Sequence, residues 1–330
     1  MKILKSLKAT LRRARNLLYL PAGCIYDACR FVVHSGIWFN GGAIKRDYKA
    51  VKIYHRIEKC LAFRNRRPSS GWDAASDFVY LMEKAKHQND GLKFHELVGM
   101  KVLDDFVRAS SVIGNDHSDV IEYVKANSRL TDFRDQGGVK RLRARDVQLG
   151  ILDDPEKFFL SRHSVRDYKS IAVEKEIIYR ALSLALKTPS VCNRQAWFVY
   201  HLDTRPLIDA ALMLQNGNRG FGHEIPCLLI VAADLSAFDT PNERYQHWID
   251  GGMFAMSLVL SLHSLGLASC CLNWDQGPLN DMRLRNAIPL KSRHTVIMMI
   301  AVGYCNDEIN VCYSARKPWP DFYEYLGNPE

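Results

Sequence analysis

The chain has no apolar run of the 18 or more residues that a membrane-spanning helix needs. Its nearest approach, Leu17-Leu18-Tyr19-Leu20, is broken by Pro21 and then by Asp27 and Arg30. None of the nine cysteines stands in a Cys-x-x-Cys pair, and no Cys/His set has metal-ligand spacing, so no metal centre is expected. An odd cysteine count without such pairs fits reduced, buried thiols in a cytoplasmic protein, with Cys270-Cys271 as the one vicinal pair. His-Glu-x-x-His and Gly-x-Ser-x-Gly are both absent, which removes the zincin and hydrolase-elbow chemistries. No RNP-like aromatic stretch is present, so nucleic acid is not expected as a partner. The glycine-rich Gly217–Gly222 stretch precedes a strand instead of joining strand to helix, which excludes a dinucleotide fingerprint or P-loop. Internal repeats and low-complexity tracts are also missing.

Charge is unevenly distributed. Residues 1–150 hold 28 Lys/Arg against 16 Asp/Glu, and residues 151–330 hold 17 against 20, so balances of +12 and −3 make up the net +9. That asymmetry sets a boundary near 150. Six basic and no acidic residues within Met1–Arg15 suggest that residues 1–40 form a surface segment able to touch a membrane. Three parts are expected: 1–40, a helical extension over 41–150, and a second folded unit over 151–330.

The extension shows helical periodicity at Ala43–Arg64, Asp73–Lys86, Glu96–Ser110 and Ser118–Asn127. The first of these ends at the turn Arg66-Arg67-Pro68-Ser69-Ser70-Gly71, and Asp135–Arg145 is a connector. The second half alternates. Helices are expected at Val173–Lys187, Gly252–Leu265 and Leu279–Ala287, and strands at Trp197–Leu202, Pro226–Ala233, Ser269–Leu272 and His294–Val302. The run Pro226–Ala233 reads as a strand covered on both faces. Gly252–Leu265 is apolar nearly all round, which demands burial in a core or between subunits. The fold class is α+β.

Three separated segments could hold a planar, phosphate-bearing cofactor. In Ser161–Tyr168, Arg162, Ser164 and Arg166 alternate and share one side of an extended strand. Guanidinium forks and a hydroxyl suit a phosphate. The same pattern also fits a solvated basic strand. Thr188–Trp197 is a polar turn in which Asn193 and Gln195 offer donors and acceptors. Gly266–Leu272 is built of small residues that let a ligand approach the backbone.

In order and spacing these segments resemble the nitroreductase family, with its Arg-x-Ser-x-Arg opening and its Pro-Ser-x-x-Asn-x-Gln-Pro-Trp turn. The family's Asp-x-Gly helix start is similar to Asp250-Gly251-Gly252, and its closing pattern to Ala287-Ile288-Pro289, Val302-Gly303-Tyr304 and Arg316-Lys317-Pro318. The resemblance covers about 155–330. It departs at Ala196, where proline is usual, and at Ser314, where a basic residue is common.

The resemblance implies a mixed sheet flanked by helices, an FMN cofactor reduced by NADH or NADPH, a small-molecule acceptor, and a homodimer with flavin sites at its interface. It assigns Arg162, Ser164 and Arg166 to the phosphate, ribityl chain and pyrimidine edge. Pro189, Ser190 and Asn193 would reach the flavin, often the partner subunit's. Ser269 and Cys270 would lie against the ring, Arg316 would approach the phosphate, and Asn218 matches an asparagine ahead of the central strand. Such chemistry belongs to the flavin, so no catalytic acid or base is assigned. The alternative is a flavin-binding accessory or sensor without turnover. The stretch Tyr54–Leu61 with Arg67-Pro68 resembles an extension on nitroreductase-like proteins linked to surface-polysaccharide synthesis, although Cys60 stands where glycine is usual. His55, Glu58 and Lys59, three and four apart on one helix, are the polar residues expected nearest the flavin.

Overall fold

The structure is a computed structural model that describes residues 2–327 apart from 39–40, 68, 87, 89, 111–116 and 131–135. The side chains of 2–16, on which the membrane-contact expectation rests, lie outside the described residues, as do Pro68 and Asp135 of the expected turn and connector. Among the described residues no helix is long and apolar enough to cross a membrane.

Eleven helices are described: α1 (Lys2–His34), α2 (Ala43–Ala62), α3 (Trp72–Lys86), α4 (Phe94–Ala109), α5 (Ser118–Ala126), α6 (Ala144–Gln148), α7 (Pro155–Leu160), α8 (Lys175–Ala185), α9 (Arg205–Leu212), α10 (Gln246–Ser264) and α11 (Pro278–Ala287). The strands are β1 (Trp197–Leu202), β2 (Cys227–Asp234), β3 (Ala268–Asn273) and β4 (His294–Gly303). They form one sheet in the order β1-β2-β4-β3, each neighbouring pair antiparallel. Among the described residues the expected mixed character is confined to a single parallel bridge, Ser164 to Ser269.

All eight residues of β2 are buried, as a strand covered on both faces requires. Alternate side chains enter different cores: Leu228 and Ile230 meet α9, α11 and β3, whereas Leu229 and Val231 meet α8 and α10. Gly251 lets α10 lie close to β4, because a Cβ there would stand 2.7 Å from Ile297 Cγ1. At the other end of α10, Gly266 takes φ +79°, and the N–H groups of Gly266 and Leu267 close onto the carbonyls of His263 and Leu262. This paired pattern ends the helix and turns the chain into β3.

The extension has its own core, built from α2–α5 around Ile57, Phe78, Met100 and Phe106. It also docks on the sheet. Phe31 of α1 packs with Ala196, Leu235 and Phe238, and Arg30 donates to the carbonyls of Ser292 and His294 at 2.9 and 2.8 Å. An ion pair joins Lys52 of α2 to Asp239.

Three expectations shift. α10 begins at Gln246, six residues before Gly252: Asp250 accepts from Val191 N–H of the 190s loop, and His247 is buried against Phe31 of α1 and Phe238. Ser161–Tyr168 is an extended segment with two isolated bridges, since it reaches only the sheet's margin. α1 runs through Pro21 as one helix, and α6, α7 and α9 had no clear signal in the sequence.

Candidate functional site

At the β3 edge, Val165 N–H donates to the Ser269 carbonyl at 3.1 Å, which fixes the Arg162–Arg166 segment beside β3. Tyr168, buried behind it, donates to the Val165 carbonyl at 2.7 Å. This brings Arg162, Ser164, Arg166, Ser269 and Cys270 to one edge. Arg166 contacts its own neighbour's carbonyl, Ser164 O at 3.3 Å, and Cys312 Sγ at 3.7 Å. Among the described residues no carboxylate pairs with Arg162 or Arg166. Two guanidiniums left without acidic partners beside a hydroxyl form a donor set that fits a phosphate. Burial raises the Cys270 thiol above its ordinary value, which keeps it in the thiol form.

The second segment lies at the opposite edge, before β1. Cys192, Asn193 and Gln195 all take positive φ (49°, 54° and 51°), which costs of order 1–3 kcal/mol per residue. Neighbouring groups hold the turn in place. Ser190 Oγ accepts from Gln195 N–H at 3.0 Å, and Asp250 Oδ2 accepts from Val191 N–H at 3.2 Å while Gln246 donates to its other oxygen at 2.8 Å. Arg194, 1% exposed, donates to the Ala237 carbonyl at 2.6 Å, pairs with Glu243 and lies over the Phe238 ring. The guanidinium and burial together hold Asn193 and Gln195 outward.

Arg194 and Glu243 are positioning groups that pattern reading passed over, and Asp250, read in the sequence as a helix start, is a third. Arg194 and Glu243 are 49 residues apart, and no local motif links them.

The remaining expected residues sit elsewhere. Asn218 gives its amide N–H groups to the Leu212 and Gln215 carbonyls at 2.8 and 2.7 Å, so it staples its own loop and leaves its carbonyl oxygen for other partners. Arg316 is on the exposed C-terminal tail and donates to Ser314 O. Pro189 and Asn193 are exposed and Ser190 is half-buried. Within one chain, therefore, the β3-edge group and the Pro189–Asn193 turn stand at opposite edges and opposite ends of the sheet, with Ser269 level with Cys227 at the start of β2 and Trp197 level with Ala233 near its end.

Over the turn lies the extension. Asn193 and Gln195 share a cavity of about 860 Å³ with Glu58 of α2, His95 and Lys101 of α4, and Gly137–Lys140. Glu58 accepts from Gly138 N–H at 2.9 Å and faces His55 Nδ1 at 3.3 Å. Lys59 points to the exposed side of α2 and does not line the cavity. Burial pushes His95 down to about 4, so its ring is neutral, and it shares a 2.8 Å hydrogen bond with Tyr54 Oη.

The family profile described as "Nitroreductase family" matches residues 160–213 and 205–304, the stretch that carries both segments and the whole sheet. This part of the chain is similar to the nitroreductase family. The match starts at residue 160, so α1–α6 lie outside it. Similar solved structures include an FMN-dependent nitroreductase from Clostridium difficile R20291, 22% identical over 52% of this chain and 98% of its own, with a TM-score of 0.44. A nitroreductase-type protein from Desulfovibrio desulfuricans in complex with FMN is 20% identical over 54% and 99% (TM-score 0.45), and a nitroreductase family protein from Clostridium difficile 630 is 21% identical over 52% and 98% (TM-score 0.45). No curated protein sequence matches the chain.

Proposed function

We propose that the protein is an FMN-dependent oxidoreductase that takes electrons or hydride from NADH or NADPH and delivers them to a small acceptor. The observation that carries this reading is the edge of unpaired Arg162 and Arg166 beside Ser164, bridged to Ser269, within a nitroreductase-family fold. Arg162, Ser164 and Arg166 would hold the phosphate and pyrimidine edge, and Ser269 and Cys270 would pack on the ring. Arg316 from the tail and the Asn218 carbonyl oxygen would complete that side. Bound FMN supplies the hydride chemistry, while the chain orients the ring and keeps water from it.

Pro189, Ser190 and Asn193 would meet the flavin from a second copy of the chain, because one copy holds the two groups at opposite sheet edges. An apolar stripe on α10 supports such a homodimer: Trp248, Ile249, Met253 and Met256 are all exposed in the single chain. The resemblance of Tyr54–Leu61 to extensions on polysaccharide-linked relatives supports surface-polysaccharide synthesis, in the cytoplasm, as the setting. The parts 1–40, 41–150 and 151–330 are the units we propose, with membrane contact confined to the first.

The test is FMN titration of wild type and Arg166→Ala. Losing one charge-assisted contact costs about 1.5–3 kcal/mol, so affinity should fall roughly ten- to hundredfold. Equal affinities would show that the phosphate is held elsewhere.

A further inference from the structure

We propose that α1 lies flat on an anionic lipid surface, with the bare, outward face of its second half set into the headgroup layer. This rests on the reading that membrane contact belongs to residues 1–40, and it names the face and the lipid.

The mounting of the helix comes first. Residues on one side of α1 fix it to the rest of the chain: Tyr26 donates to Asp281 of α11 at 2.6 Å, Arg30 reaches the Ser292 and His294 carbonyls, and Phe31 stacks on Phe238 and His247. Those anchors set which residues point away, because a helix turns once every 3.6 residues. Leu17, Pro21, Ile25, Ala28, Cys29 and Val32 fall on the far side, and all are exposed, Leu17 by 73% and Ile25 by 63%. Between Asn16 and Val33 the charged residues are Asp27 and Arg30. Both are on the anchored side, where they line a cavity against α11. The outward face therefore carries no charge.

The second observation is what precedes that face. Residues 1–26 hold six Lys/Arg and no Asp/Glu. In the sequence the apolar series continues back from Pro21 through Ala14, Leu7 and Ile3 at helical spacing, and none of the six basic residues falls in it.

Charge and shape then choose the partner. An apolar face without donors or acceptors gives a protein partner nothing to recognise by direction, whereas a lipid surface asks for none. The bare stripe that a second copy would offer on α10, Trp248, Ile249, Met253 and Met256, has no carboxylate to answer the basic charge. Anionic headgroups do answer it, at a gain that grows with each Lys or Arg near the surface. The helix is 33 residues long, and among the described residues no helix is apolar enough to cross a membrane. A long helix that is apolar on one side and basic elsewhere lies in the plane of the interface.

The test is flotation of the full chain with vesicles of phosphatidylcholine alone and of phosphatidylcholine with phosphatidylglycerol in equal parts. Two pairs of neutral substitutions separate the contributions: Leu17→Gln with Ile25→Gln removes apolar surface, and Arg12→Gln with Arg13→Gln removes charge. Wild type should float with the anionic vesicles and stay down with the neutral ones. Each pair should weaken anionic binding roughly tenfold, with circular dichroism and melting temperature unchanged because the substituted face packs on nothing. Binding that falls with the arginine pair but ignores Leu17→Gln with Ile25→Gln overturns the outward face and leaves membrane contact by residues 1–40 standing. Equal binding to both vesicle types overturns the choice of lipid. Binding that ignores both pairs, or a wild type that never floats, overturns the inference and the membrane reading together. In the last case a change in sedimentation of the Leu17→Gln, Ile25→Gln variant would show that the face joins copies of the chain instead.

Discussion

Arg194 shows how one side chain organises the site. Its guanidinium is sealed against Phe238 and paired with Glu243, and it holds open a turn whose neighbours sit in a disfavoured backbone region. Breaking a buried ion pair typically costs about 3–5 kcal/mol, and Glu243 keeps some solvent, so Arg194→Ala should cost about 2–3 kcal/mol in urea unfolding. FMN affinity should fall with it, because Asn193 loses its support. The sequence pointed to this turn through Pro189, Ser190, Asn193 and Gln195 and passed over Arg194. Arginine's role depended on a glutamate far along the chain, which no local pattern exposes. Titration provides a second residue-level test. Burial holds His95 and His247 neutral, each down to about 4, so protonation favours the unfolded chain as pH falls from about 6.5 toward 4. Asp47, raised to about 6 by burial despite two N–H donors, works in the opposite direction below pH 6. Of these three groups the two histidines outweigh the aspartate, so stability should be full near pH 7 and fall between about pH 6 and 4. Denaturant unfolding at pH 7 and pH 5 measures it, and His95→Gln should flatten the slope.

Among elements, α10 decides the most. Its inner face packs Phe254, Leu258 and Leu262 into the core, and its outer face leaves Ile249, Met253 and Met256 bare in a single chain. The apolar sequence announced burial on every side, and one chain satisfies only half of that demand. Met256→Lys should therefore convert a dimer into monomers in sedimentation at micromolar concentration, with flavin lost alongside. A dimer indifferent to that charge would place the interface elsewhere. The strands were legible because covered strands are continuous runs of apolar and β-branched residues, as in Cys227–Asp234. The start of α10 was not, because His247 and Asp250 look solvent-facing until Phe31 and Phe238 cover the one and the 190s turn meets the other. The Arg162–Arg166 segment was legible as alternation, but its ladder is a single bridge, and pairing partners do not show in sequence.

At the scale of the whole molecule, the extension and the reductase fold are interdependent. Phe31 and α2 cover Ala196, Phe238 and the 190s turn, so removing residues 1–150 would strip that cover. If such a truncation stays soluble, it should lose discrimination and reduce generic quinones faster than the full chain, while His55→Ala in the full chain should shift acceptor preference with FMN affinity unchanged. The charge asymmetry read from the sequence runs between a basic first part and a slightly acidic second part. The central claim is flavin-dependent turnover. It is tested most directly by the visible spectrum of the purified protein, before and after anaerobic NADH or NADPH and again after a quinone is added. The expected result is a yellow protein with FMN bound near one per chain, bleached by the nicotinamide and recoloured by the quinone. A bound flavin that neither nucleotide bleaches would mark an accessory or sensor protein, and a colourless protein that cannot be reconstituted with FMN would contradict the account.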